Sequence, residues 1–582
     1  MPPQNRQVLI AKGWAFIVCV FALSARNGTL AGPPMPFTEE AAARGINYTL
    51  TLPGFARGVA FADLDLDHDP DVVLMGQSDK RIGVFENDGT GHFTDHSLTS
   101  GIPLLTDPSG VVALDYDADG DLDLFITQTE MPNVLLRNDG GFTFTDVSIP
   151  AQVADAALAE GPAVGDYNND GLPDIYVPNY GTANRLYRNM GDGTFVDVAP
   201  LLGVDDPWRG FQAAFFDADR DGDADLYISN DKRLASETVM HNILYENTGG
   251  TFVDRSATSG TDANIYSMGL AVGDFDGNLF QDLYCTNVPV EPNVLFLNQD
   301  QFSFVSAAVT AGVESFRLGW GALFFDYDND THMDLYVCNE GIENRLYDYD
   351  GSWPAVDLAT ELAVDNPGGT LCLASADIDN DGDLDILMPE QGQAARLYIN
   401  HEGEARNWVK FRIIGQPPNH FAVGARVDVH FDTPLQSHQT GTLGGSRSSN
   451  DSARGNVPEA VTVWRTREVI AGSNFKSQNE LTQHFGVGTA SILHEVVVTW
   501  PSGTTTRTLT NVPVNQTLPV YPPERLGDSD GNGVVDLSDV DDFVAVLLGS
   551  DTDPDHVALS DMNGDSSADG GDLSAFVQQL LP

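Results

Sequence analysis

Short apolar and aromatic runs recur along residues 37–400, each closed by Gly, Asn or Asp. VVAL at 111–114 and ALFF at 322–325 run into an acidic loop. DIYV at 174–177, DLYI at 225–228, DLYC at 282–285 and DLYV at 334–337 leave it. A third run follows as NRLY at 184–187, NILY at 242–245, NVLF at 293–296 and NRLY at 344–347. After a Gly-rich turn comes a fourth, FTD at 93–95, FVD at 195–197 and 252–254, and FVS at 304–306. Strands this short, rich in β-branched and aromatic residues and punctuated by Gly and Asn, predict antiparallel meanders. Four strands in each unit of about 50 residues predict a blade of a β-propeller.

The acidic loops set the count. Their first position is Asp63, Asp115, Asp166, Asp217, Asp274, Asp326 and Asp377, at intervals of 52, 51, 51, 57, 52 and 51 residues. Position 3 is Asp65, Asp117, Asn168, Asp219, Asp276, Asp328 and Asp379. Position 5 is Asp67, Asp119, Asp170, Asp221, Asn278, Asp330 and Asp381, and position 9 is Asp71, Asp123, Asp174, Asp225, Asp282, Asp334 and Asp385. Oxygen ligands at alternate positions, followed by a residue that allows a sharp turn, wrap a hard cation of calcium's size. The alternative is that these Asp residues only form turns; seven copies in phase favour the metal. Loops two, four and seven have four Asp with Gly120, Gly222 or Gly382 at position 6. Loop one has His68 there, loop six Thr331, and loop five, with Asn278 and Leu279, is expected to bind least tightly.

Fourth-strand phrases follow the first six loops, and none follows the seventh. A matching phrase precedes loop one: FTEEAAARGI at 37–46 aligns with FTDHSLTSGI at 93–102. The segment 37–46 is therefore expected to complete the seventh blade, leaving no open sheet edge at the seam.

Composition narrows the partners. The 582 residues hold 29 Lys and Arg against 85 Asp and Glu, a formal charge of −56, which excludes nucleic acid. Arg6 and Lys12 precede the apolar stretch 13–23, so 1–31 reads as a signal peptide, and a secreted or cell-surface protein is expected without a transmembrane helix after cleavage. Cys19 lies in that signal; Cys285, Cys338 and Cys372 are expected to be buried thiols, with Cys338–Cys372 a less favoured pair.

Residues 37–400 resemble the FG-GAP/VCBS repeats of integrin-α-type propellers, and the loops carry that likeness. The resemblance implies structural calcium on one face, with interaction surfaces on the opposite face and rim.

After Asn400 the period stops. NWVKFRIIG at 407–415, GARVDVHF at 424–431, REVIAG at 467–472, HFGVG at 484–488 and VVVTWPSG at 496–503 resemble the UnbV/ASPIC domain, over 401–521. The Ser/Gly/Asn-rich stretch 433–463 reads as a mobile insertion, and 522–526 as a linker. His484 has no second His or Cys at metal spacing and reads as a turn stabiliser. In 527–582, Asp528, Asp530, Asn532, Asp536 and Asp539 and then Asp561, Asn563, Asp565, Asp569 and Asp572 occupy positions 1, 3, 5, 9 and 12 of two calcium loops, each opening a helix. The pair is similar to a type I dockerin, which implies a cohesin-type partner. Ser566 stands where Gly is expected, and positions 10 and 11 are Leu537-Ser538 and Gly570-Gly571.

No HExxH, GxSxG or phosphate loop is present, and no carboxylate pair stands apart from the loops, so no enzyme is expected. Five residues beyond each position-9 Asp stand Gly76, Gln128, Asn179, Asn230, Asn287, Asn339 and Glu390. They are expected to tie turn backbone rather than hold a ligand. The expectation is a mainly β chain: a seven-bladed propeller, a small β-rich domain and a short helical tail. Its function is read as calcium-stabilised, non-catalytic binding of extracellular protein or glycan. The alternatives are a component of a polysaccharide-degrading cohesin–dockerin system and a structural surface protein.

Overall fold

The computed structural model describes residues 36–51, 57–77, 79–232, 239–434, 460–530 and 534–580. The expected signal 1–31 with Cys19, the centre of the expected insertion (435–459) and Asn532 lie outside them. Pro36–Pro582 is one compact unit.

The chain is mainly β. Residues 37–400 form seven four-stranded antiparallel sheets, consistent with a β-propeller. One of them runs Pro108–Leu114, Asp123–Gln128, Val134–Asn138, Phe144–Asp146. Each acidic loop joins the first strand of a sheet to the second, and the second begins at the position-9 Asp. The first two strands of that sheet are buried along their whole length. Buried on both faces, such strands read as continuous apolar runs rather than an alternation.

Apolar clusters lie between consecutive sheets. One unites Val112, Phe125, Val164 and Ile175 of the second and third sheets. Another unites Phe61 and Val72 of the first with Leu387 and Leu397 of the last. At that junction Phe37–Glu39 lies antiparallel beside Arg396–Asn400, with Phe37 opposite Asn400. Phe37 is 2% exposed and packs 6.2 Å from the Tyr327 ring.

After the ring, Ala460–Glu468, Arg426–Pro434, Ile492–Thr499 and Thr506–Pro513 make an antiparallel sheet in that order. Gln483–Gly488, Asn407–Ile413 and Thr517–Val520 make a second, the last pair parallel. Phe411, Val429, Phe485 and Val496 share the core between them. Strand pairing runs through Pro434 opposite Ala460, so both arms of this hairpin extend into the range that composition assigned to the insertion.

The loop 470–479 of this second domain enters the centre of the ring. The Gln478 amide donates to Val59 O at 3.0 Å, and its side-chain oxygen accepts from Ala113 N at 3.0 Å. Ala471 O accepts from Val164 N at 3.0 Å, Gly472 O from Gln212 Nε2 at 2.8 Å, and Asn479 Oδ1 from Ser375 N at 3.0 Å. Lys476 Nζ bonds Ser109 Oγ at 2.8 Å and pairs with Glu160. Phe475 packs between Phe211 and Trp320. Gly58 permits this approach: a Cβ there would stand 1.9 Å from Lys476 O. Extended inner strands that would otherwise leave backbone groups on an open axis are thus satisfied by the chain itself.

The tail holds helices Asp539–Leu547, Pro554–Ser560 and Leu573–Leu580. The middle one was not foreseen; its cap is Asp553, which accepts from the Asp555 and His556 amides. The expected linker is a packed turn, Pro523–Arg525, followed by buried Leu526 against Tyr521, Ala558 and Leu559.

Candidate metal loops and the domain that covers them

The ring loops follow a common wiring, incomplete in loops one and three. In loop two, the position-1 carboxylate of Asp115 accepts from the amides of Asp119 (3.2 Å) and Gly120 (3.1 Å). Asp119 accepts from Asp121 N at 3.1 Å. Asp123, at position 9, accepts from Tyr116 N (3.0 Å) and from Asn138 N (2.8 Å) on the third strand. The position-9 side chain thus ties the loop to its sheet, and Asp71, Asp225, Asp282, Asp334 and Asp385 do the same in theirs. Position 6 takes a left-handed backbone whether it is Gly120 (φ 95°), His68 (76°), Leu279 (80°) or Thr331 (91°). Side chains at the last three carry a strain of about 1 kcal/mol that Gly avoids.

Hydrogen bonds do not use up the carboxylates. In loops one, two, four and five the oxygens at positions 1, 3 and 9 lie within 4.8 Å of one another. Buried Oδ1 atoms of Asp63, Asp65, Asp117 and Asp379, and Oδ2 of Asp174, have no hydrogen-bond partner. Burial raises the position-9 groups first: Asp71 to about 9, Asp123 to about 8, and Asp174, Asp225 and Asp385 well above the usual range. Burial, then the adjacent carboxylates, lifts Asp65 and Asp219 to about 6. A buried cluster of acids, several with oxygens aimed at nothing, fits a hard cation. Loop five keeps Asp274, Asp276 and Asp282 together, while Asn278 turns its amide to Asn298 O at 2.7 Å.

The second domain sits on this face and brings basic groups to the same loops. His420 Nδ1 lies 2.6 Å from Asp115 Oδ2, Arg426 Nη1 3.1 Å from Asp217 Oδ2, and Lys410 Nζ 2.9 Å from Asp377 Oδ2. These are position 1 of loops two, four and seven, the three with a full set of Asp and Gly. Arg406 pairs with Asp328 of loop six at 2.5 Å. Lys410 is buried, which draws its pKa down, but Glu480 and Asp377 outweigh that and hold it above its ordinary value. These contacts were missed in the sequence; their only sign is that scarce basic residues fall just past the last repeat. His484 donates Nε2–H to Gly382 O of loop seven at 2.9 Å, and burial lowers it to about 4. It is a neutral tie between domains, not a ligand.

The tail loops close differently. Asp539 accepts from the amides of Asp530 (3.0 Å) and Asp536 (2.7 Å), and Asp572 from those of Asn563 (3.0 Å) and Asp569 (2.8 Å). Asp561 accepts from Gly564, Asp565 and Ser566 amides. Ser566, the departure from Gly, takes φ 67° and donates Oγ–H to Thr510 O at 3.1 Å. Asp555 receives both Arg412 (2.7 Å) and Tyr521. The second loop and the middle helix therefore rest on the β domain.

At the far ends of the second strands, Gln128, Asn179, Asn230, Asn287 and Asn339 each donate a side-chain amide to a turn carbonyl at 2.6–3.1 Å. These five tie turns as expected; Gly76 has no side chain to do so, and Glu390 instead accepts from the side chains of Asn366 and Thr370. Cys285, Cys338 and Cys372 are free and buried.

With the geometry in place, the comparisons fall on the same two regions. The FG-GAP-like repeat pattern matches residues 63–126, 115–177, 166–228 and 326–388, and the ASPIC and UnbV pattern matches 453–526. FG-GAP-like repeats thus recur along the ring, and an ASPIC and UnbV segment lies in the domain that covers it. Cartilage acidic protein 1 of Xenopus tropicalis is 24% identical over 522 residues, covering 80% of this chain and 74% of the relative. That of Mus musculus is 23% identical over 519 residues, with the same shares. A T-cell immunomodulatory protein of Rattus norvegicus is 25% identical over 234 residues, 38% of this chain and 36% of the relative. Among solved structures, YCF48 bound to D1 peptide overlaps 63% of this chain and 96% of its own at 10% identity and a TM-score of 0.38. The FG-GAP loops thus lie under the ASPIC domain, on the face it covers. No described helix is long and apolar enough to cross a membrane.

Proposed function

We propose that this chain is an exported, calcium-stabilised seven-bladed propeller that binds extracellular protein or glycan without catalysis. The observation that carries the calcium reading is the set of buried, unpartnered carboxylate oxygens in loops that each hold several acids. Asp63, Asp65, Asp67 and Asp71, and their counterparts in the other six loops, would hold one ion each. The ion would supply charge neutralisation and fix the loop between its strands; the position-9 Asp would keep its tie to the third strand. Asp528 to Asp539 and Asp561 to Asp572 would hold two more, through a donor set of carboxylate and amide oxygens suited to calcium.

The binding surface follows from what is covered. The ASPIC domain occupies the loop face, and the loop 470–479 fills the axis, so ligands meet the opposite face and the rim. Homology to proteins whose name places them in cartilage supports an extracellular setting. The tail, with its dockerin-like spacing, is the element offered to a cohesin-type partner.

An array of matrix proteins and glycans, probed with the full chain in calcium and in EGTA, tests this reading alongside a reducing-sugar assay. Binding that needs calcium and releases no sugar is the expected result. Sugar release would move the chain into polysaccharide degradation, and no binding at all would leave a structural surface role.

A further inference from the structure

Where loops one and two, the ASPIC domain and the turn Pro523–Arg525 meet, they form a cavity of about 260 Å³. Two other cavities along the same interface measure about 100 and 150 Å³. Its walls are mostly apolar: Leu66, Pro70, Leu122, Ile414, Phe421 and Leu481. An apolar void of about 150 Å³ already takes up benzene. Pockets at domain junctions with apolar walls and a few polar groups are the usual form of a small-molecule site.

Two oddities of loop one face this cavity. Position 4 is Leu66, apolar and 43% exposed, where the other loops carry Ala118, Asn169, Arg220, Gly277, Asn329 and Asn380. Position 6 is His68 where four loops have Gly, and it reaches 3.5 Å to Asp555 of the tail. Both side chains line the space. The polar groups are basic beyond this chain's composition: His68, Arg412, His420 and Arg525 all border it, in a protein with 29 Lys and Arg against 85 acids. His68, Arg412 and His420 have carboxylate partners in Asp63, Asp555 and Asp115. Arg525 sets Nη2 3.4 Å from Asp528 and its guanidinium 5.3 Å from the Tyr521 ring centre, but its buried Nε–H has no acceptor among the described residues. Two acids, Asp63 and Glu480, also border the cavity; Asp63 accepts from His68 N at 3.0 Å and Glu480 from Asp377 N at 3.3 Å. A buried donor left unpaired is costly, and an acceptor from outside the chain removes that cost.

We propose that this three-way junction is a binding site for a small amphipathic anion, with an aromatic or short acyl body against Leu66, Phe421 and Leu481 and an acidic head at Arg525. The site goes beyond the adhesive reading and does not depend on it. The ligand bridges ring loops, ASPIC domain and the turn that carries Arg525, so its binding holds these parts together.

The test is a fluorescence titration of the full chain with dansylglycine, an aromatic body with a carboxylate, followed by displacement with octanoate. One saturable site is expected. Leu481→Trp, which fills the cavity, and Arg525→Gln should each weaken it at least tenfold, and Arg317→Gln on the far face should leave it unchanged. Absence of saturable binding, or binding indifferent to both cavity variants, overturns the proposal. If Leu481→Trp does not fold, hydrogen exchange of the native chain decides. Dansylglycine should slow exchange in 64–70 and 412–421, and slowing elsewhere without these segments overturns the site.

Discussion

Nine loops in this chain are written in nearly the same letters, yet the seven in the ring and the two in the tail are different physical objects. Ring loops sit between strands and under a second domain, so burial raises their carboxyls and leaves oxygens without partners. In the tail Asp539, Asp561 and Asp572 are buried and raised as well, but the position-9 Asp536 is fully exposed, and the Ser538 amide beside it holds its carboxyl below the ordinary value. The position-9 carboxyl therefore makes a strong electrostatic demand in the ring and a weak one in the first tail loop. Burial, not spelling, sets how strongly each loop would favour a cation.

The largest effect expected from this contrast comes from opening the ring. Deleting 37–46 removes the strand beside Arg396–Asn400 and the buried Phe37, Ala41 and Ile46. The exposed edge should aggregate, whereas deleting 527–580 should leave a monomer. A ring-truncated chain that stays monomeric with an unchanged Tm in calorimetry would break the comparison. Next comes chelation. An ion in thousandfold excess over its Kd stabilises the native state by about 4 kcal/mol per site, so EGTA should lower the main thermal transition by many degrees. The alternative is that only the tail's circular-dichroism signal responds, which would place the calcium demand there instead.

In EGTA, Lys410→Met leaves Asp377 buried without a paired cation. The cost expected is about 3–5 kcal/mol in denaturant unfolding, far above that of neutralising Arg137, which is exposed. The pH response sharpens the origin of the demand. In EGTA, buried acids with raised pKa bind more protons folded than unfolded, between their ordinary value near 4 and the values of about 8 and 9 at Asp123 and Asp71. Stability should then fall as pH rises from 5 to 8. With calcium the slope should reverse, because the ion requires deprotonated ligands. Identical slopes in the two conditions would remove the metal from the account.

The smallest effect separates two ring loops. In calcium, Asp119→Ala should lower Tm more than Asn278→Ala, since loop two has the fuller charge set. In EGTA the order should invert, because Asn278 also holds Asn298 O at 2.7 Å. Differences of about 1 kcal/mol are expected, the size of one hydrogen bond.

Much of this architecture was legible in the chain. Period, strand count and the orphan phrase at 37–46 follow from local chemistry: turn residues, β-branched runs and a fixed spacing of acids. The wiring of position 9 was legible only as a ligand position; that Asp123 also receives Asn138 N depends on the third strand lying alongside. What the sequence could not carry was the relation between domains. Nothing local marks the loop 470–479 as the occupant of the ring axis, because its partners Val59, Gln212 and Ser375 come from blades far apart in sequence. Nor does spacing show that Lys410, His420 and Arg426 answer Asp377, Asp115 and Asp217, pairs separated by 33, 305 and 209 residues. Periodicity is a property of neighbours along the chain, so the sequence by itself determined the repeats. Burial and charge pairing arise between segments that meet only on folding, so the tertiary structure alone decided which loops are covered, which acids are strained and where a cavity remains.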